Sequence, residues 1–197
     1  MATGRGRRGR PPIVDIVDLR RQAIGVVLDR GYEQVTMADI AGEVGVSVRT
    51  LHRYFPSKAD IVWGGIESSF EALRAAFETA DERLSVIEAV RSVVMSVFDQ
   101  QVEDLALTRI RLRLIATVPE LQASRSETFE RWREQLVAYV ARRLGEPEDA
   151  ITPVAAGAAI QAAMLRALAW WAVREEDASP ADVVAQALRG LEKVASL

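Results

Sequence analysis

Residues 36–60, TMADIAGEVGVSVRTLHRYFPSKAD, leave little freedom in what they can fold into. Thr36 and Asp39 stand three apart, as a capping box at a helix start requires. Met37, Ile40, Ala41 and Val44 then recur at helical spacing, so one face is buried. Gly45 follows at once, where a left-handed residue can end the helix, and Val46 packs inside the turn. Ser47 can cap a second helix, SVRTLHRYF, in which Leu51 and Phe55 share a face. Pro56 stops that helix, and Ser57 with Asp60 forms a second capping box that opens a third. Two short helices joined at a glycine and followed by a capped third form a helix-turn-helix.

The outward face of the second helix carries Val48, Arg49, Thr50, His52, Arg53 and Tyr54. A merely solvated helix has no use for Val, Thr and Tyr there. A helix that reads the DNA major groove does: Arg bonds guanine, Thr serves either base type or a thymine methyl, and Tyr reaches phosphate. The competing reading is a polar amphipathic helix that met this spacing by chance.

Residues 15–62 resemble the DNA-binding domain of the TetR family of transcriptional regulators. The matching pieces are AIGVVLDRGYEQVTM and ADIAGEVGVSVRTLHRYFPSKADIV, with the Gly31-Tyr32 break, Thr36, Ile40-Ala41, Gly45-Val46-Ser47, Thr50-Leu51, Tyr54-Phe55 and Ser57-Lys58 in register. The resemblance implies that Val48, Arg49, Thr50, His52, Tyr54 and Lys58 touch DNA. Thr36 and Ser47, at the two helix starts, join that set. His52 stands where the family usually has Tyr, which makes its contact with phosphate a departure from the pattern.

The other residues also read as helices. Ala, Leu, Arg and Glu dominate the 197 residues, 49% are hydrophobic, and strand-like alternation is scarce. The expected fold class is all-α with about nine helices. Capping and breaking residues place helices at 58–80, from Ser85 with Glu88 to about 101, at 103–116 closed by Pro119, from Ser124 with Glu127 to Leu144, at 150–174, and at 180–195. The expected domains are an Arg-rich arm over 1–13, the helix-turn-helix domain over 14–60, and a ligand-binding and dimerisation domain over 61–197. There is no Cys and one His, so neither a disulfide framework nor a His/Cys metal site is expected, and no cofactor is implied. No Ser/His/Asp set or Gly-rich phosphate loop supports an enzyme. No signal peptide is visible, because Asp15 and Asp18 break the apolar run after the arm; a cytoplasmic protein is expected.

Net charge is −3, yet residues 1–62 hold ten Lys and Arg against seven Asp and Glu. A basic end on an acidic remainder suits an oriented DNA binder. In the arm, GRGRRGRPP holds four Arg, and Gly9-Arg10-Pro11 resembles the core of an AT-hook. Arg10 is therefore a candidate for the negative potential of a narrow minor groove. The plain alternative is a tail that adds only nonspecific phosphate attraction.

Residues 150–174 are apolar enough to suggest a membrane span, but Gln161 and Arg166 interrupt them and alanine drives insertion weakly. Their many small residues allow close approach of another helix. They are read as the main homodimer helix, partnered by 180–195 and with no membrane involved; TetR dimers usually form through the last two helices. The central helices are expected to hold a small hydrophobic effector, with Trp63, Phe70, Phe98, Phe129, Trp132 and Met164 as apolar candidates. Arg109 and Arg113, sharing a face, are the candidate anion-binding rim, with Arg111 opposite them. FPSKADIVWGGIE, VPELQAS and ETFERW are further similar to the acyl-CoA-like ligand-binding subgroup of the family, which implies an acyl chain on an anionic head. The expectation is a dimeric repressor on a palindromic double-stranded DNA operator. A sequence-nonspecific DNA-coating protein is the runner-up, and an all-α enzyme is a remote third.

Overall fold

The computed structural model describes residues 15–64, 66–100, 105–124, 126–174 and 177–195, so the arm with Arg10 lies outside the described residues. Among those described there are eleven α-helices, one short 3-10 helix and no strand. The chain divides into two compact units, residues 1–61 and 62–197, here called head and body.

In the head, Asp15 caps α1 (Ile16–Arg30) by accepting from the Val17 and Asp18 amides. Gly31, at φ 88°, ends it, and a 3-10 turn over Tyr32–Gln34 leads on. Both halves of the Thr36–Asp39 capping box form at the start of α2 (Met37–Glu43). Gly45 has φ 71°, and the Val46 amide donates to the Ala41 carbonyl across the turn. Ser47 then caps α3 (Val48–Tyr54) through the Thr50 amide. The head core is Leu19, Ala23, Ile24, Val27, Ile40, Leu51 and Phe55, all almost fully buried. The spacing that put Leu51 and Phe55 on one face is thus the spacing that packs α3.

The last head residues begin α4 (Lys58–Trp63), opened by Ser57 and Asp60. The helix expected over 58–80 is two helices: α4 ends before Gly64, and α5 runs Ile66–Glu78. Gly64-Gly65 is the cause, since consecutive glycines weaken helix propagation. The body continues with α6 (Val86–Gln100) and α7 (Leu105–Thr117). Pro119 does more than close α7. It occupies the first turn of an unexpected short helix, α8 (Pro119–Ala123), where its missing N–H costs nothing. Ser124 was expected to cap the next helix but instead closes α8 in right-handed conformation, and its hydroxyl donates to the Leu121 carbonyl. The next helix, α9, runs Ser126–Leu144 and ends at Gly145, φ 68°.

Helix α10 (Ile151–Val173) packs against α7, α9 and α11 (Pro180–Ala195), while α6 packs on α5 and α11. The body core includes Val90, Val94, Trp132, Leu136, Met164, Trp171 and Leu188. At the α9–α10 crossing a Cβ on Gly157 would meet Val137 Cγ2 at 2.7 Å and the Val137 backbone nitrogen at 3.0 Å. This glycine therefore lets α10 approach α9 of the same chain. The opposite side of α10 stays open: Ala155, Ala159, Ala162, Trp170 and Val173 are exposed. It is the one helix among the described residues long and apolar enough to cross a membrane, and a third of its most apolar window is buried.

Candidate nucleic-acid interface and effector cleft

In α3, the residues expected to meet DNA fall into two groups. Val48 and Arg49 are exposed, and Arg49 has no hydrogen bond or ion pair among the described residues. The other side chains are held in place. Ser47 Oγ accepts from the Thr50 amide and lies 2.7 Å from Thr50 Oγ1, so both hydroxyls share one hydrogen bond. Thr36 Oγ1 donates to Asp39 at 2.6 Å and accepts from its amide, which makes Thr36 first of all a helix cap. The Tyr54 hydroxyl accepts from Arg53 Nη2 at 2.9 Å, with the guanidinium 4.7 Å from the ring centre. His52 is exposed, with Nδ1 3.0 Å from the Pro56 carbonyl oxygen.

Lys58 is placed differently from a simple surface contact. Its ammonium donates to the carbonyls of Tyr32 at 2.5 Å and Val35 at 3.1 Å, over the Tyr32 ring. Two of its three N–H donors are thereby engaged within the head. Hydrogen bonds from the Thr36 hydroxyl and amide, with Arg30 nearby, hold the Asp39 carboxyl below its usual range and so keep the cap ionised.

The body has a cleft of about 400 Å³ with walls from α7 (Leu112, Ile115), α9 (Phe129) and α10 (Leu165, Leu168). Gln122 of α8 and Arg166 of α10 supply its polar groups. Volume and lining suit a small, largely apolar ligand. Of the residues expected to hold an effector, Phe129 lines this cleft. Trp63, Trp132 and Met164 are buried in the body's interior. Trp63, Phe70, Phe129 and Trp132 form one aromatic cluster, with Phe70 stacked on Trp132 at 4.9 Å and Trp63 edge-on to Phe129 at 5.3 Å. The Trp132 indole N–H is buried with no acceptor among the described residues. The Phe98 side chain lies outside the described residues. Arg109 stacks over Trp171 at 4.4 Å, and Arg113 is exposed.

Two arginines matter more than sequence reasoning allowed. Arg166 interrupts the apolar run of α10 and lines the cleft. Arg111 is 1% exposed, and its guanidinium donates to carbonyls at the end of α4. The signal for Arg111 was its phase: it follows Leu107 by four residues, on the face of α7 that is buried.

Comparison with known proteins agrees with this architecture. Residues 19–62 match the family described as bacterial regulatory proteins, tetR family, and residues 84–196 match the MftR C-terminal domain. The chain is 30% identical over 157 residues to MftR of Mycobacterium tuberculosis, a regulator assigned to mycofactocin biosynthesis, spanning 80% of this chain and 79% of that protein. It is also 30% identical to the nucleoid occlusion factor SlmA of Pasteurella multocida, over 67% of this chain and 71% of SlmA. Among solved structures, the regulator FadR of Bacillus subtilis in complex with stearoyl-CoA is similar, with a TM-score of 0.58, 21% identity, and coverage of 89% of this chain and 95% of that one.

Proposed function

The chain belongs to the TetR family of transcriptional regulators, and from that premise we propose that it is a dimeric repressor released from its operator by a small hydrophobic effector. The observation that carries the DNA half is α3: a helix capped by Ser47 and held at its end by His52, with the Arg49 side chain exposed and, among the described residues, unengaged. Arg49 reads a base edge, Val48 and Thr50 make apolar and hydroxyl contacts, and Tyr54, His52 and Lys58 serve the phosphates. Two such helices on a symmetric dimer, about 34–36 Å apart, meet successive major grooves of a palindrome.

Arg49→Ala should cost about 1–3 kcal/mol of operator binding and little on random DNA. An equal loss on both would make Arg49 a phosphate contact only, and would remove the main support for sequence reading.

The effector half rests on the body. The cleft offers an apolar wall with Arg166 available to an anionic group. The fold is shared with a regulator solved with stearoyl-CoA. We therefore assign the effector to acyl thioesters. Burying eight methylenes of the chain contributes roughly 6 kcal/mol before ordering costs. That exceeds the ~1–3 kcal/mol that allosteric coupling typically needs. Titration of the protein with stearoyl-CoA, followed by tryptophan fluorescence, tests it. Saturable binding that Arg166→Ala weakens supports the assignment, and no binding removes it.

A further inference from the structure

Helix α4 is only six residues long, so its last carbonyls have few partners of their own. In the body this helix end is held from two sides. Arg111 of α7 donates from Nε to the Val62 carbonyl at 2.8 Å and from Nη2 to those of Trp63 and Gly64. At the same helix end, the Trp63 indole N–H donates to the Leu121 carbonyl and the Ser124 hydroxyl at 3.2 Å each, at the end of α8.

The next residue along each gripping helix faces elsewhere. Leu112, beside Arg111, and Gln122, beside Leu121, both line the 400 Å³ cleft. The groups that hold α4 and the groups that would touch an effector are thus chain neighbours on α7 and again on α8. A buried guanidinium tolerates few geometries, because moving it from its acceptors leaves a desolvated charge without hydrogen bonds. A helix end held this way is held or released in discrete states rather than by degrees.

We propose that Arg111 is a positioning residue: it sets the carboxyl end of α4, and occupancy of the cleft reaches α4 through it. This deepens the effector-release reading and rests on it. The identity of the effector is not needed, because a bulky side chain can stand in for the occupant.

The test is a mutant cycle on the full-length protein, using Ala116→Trp to fill the cleft from α7 and Arg111→Lys to keep the charge while losing the fork of donors. Operator affinity and hydrogen exchange of residues 58–64 are both read, with helical content and unfolding midpoint as controls for folding. Filling the cleft of the otherwise native chain should weaken operator binding about tenfold, within the usual range of allosteric coupling, and speed exchange in α4. In the Arg111→Lys background the same filling should change either readout less than about twofold. Arg111→Met, which removes the donors altogether, should resemble the filled state if it folds. An equal effect of filling in both backgrounds overturns the proposal, as does filling that leaves α4 exchange unchanged in the native background. If the native chain binds no operator at all, the repressor reading fails by itself. The exchange measurement then still decides whether Arg111 links the cleft to α4.

Discussion

His52 shows how much one hydrogen bond can decide. A carbonyl only accepts, so the ring nitrogen facing the Pro56 oxygen carries a proton in either charge state. In the neutral ring the other nitrogen, Nε2, is then an acceptor and unsuited to phosphate. In the cation it becomes a charge-assisted donor. The family's usual tyrosine donates throughout the physiological range. His52→Tyr, which restores the family's usual hydroxyl donor, should therefore strengthen operator binding. Fluorescence anisotropy with labelled operator checks it, and an unchanged affinity would take His52 off the DNA backbone. Asp39 contributes to the head's stability in acid. Its folded carboxyl titrates below the ordinary range because Thr36 donates to the ionised form. That stabilisation is present above the unfolded value and lost as pH falls through the folded one. Acid unfolding followed by circular dichroism should begin at higher pH in Thr36→Val than in the native chain.

At the scale of elements, α10 is the most exacting piece. Gly157→Ala would gain about 1 kcal/mol of helix propensity. It would also press a methyl against the Val137 backbone, which cannot rotate away. Overpacking of that kind costs ~1–3 kcal/mol, so a net loss is expected in denaturant unfolding. Unchanged stability would show that α9 and α10 separate freely. The helix-turn-helix was legible in the sequence because every boundary there carries its own chemical mark: Thr36, Gly45, Ser47, Pro56, Ser57. The mark at Ser85 worked for the same reason. Legibility failed where one residue serves two purposes. Pro119 both ends α7 and begins α8, Ser124 closes a helix where it could have opened one, and Gly64-Gly65 divide a single apolar pattern in two. The effector cleft was the least legible part. Aromatic residues mark the interior equally whether they touch a ligand or each other: Phe70 stacks on Trp132, and Trp63 meets Phe129. A buried arginine among solvated ones shows only in its helical phase, as Arg111 does.

At the scale of the whole molecule, the account requires two copies. The open side of α10 carries Ala155 and Ala159, small enough for a second helix to lie against them. The outward side of α11 instead carries Asp182, Gln186, Arg189 and Lys193, which suits the rim of an interface rather than its centre. Ala159→Glu should leave the body folded, shift the protein to monomer in sedimentation, and remove most operator affinity. A dimer that survives the change would move the interface off α10. The central claim, a regulator that reads sequence and lets go for a ligand, is tested most directly by footprinting the purified protein on the DNA upstream of its own gene. Salt is held fixed, and stearoyl-CoA is present or absent. The account predicts one bounded, palindromic footprint that stearoyl-CoA erases. Protection spread without boundaries over any DNA supplied would contradict it and favour a coating protein.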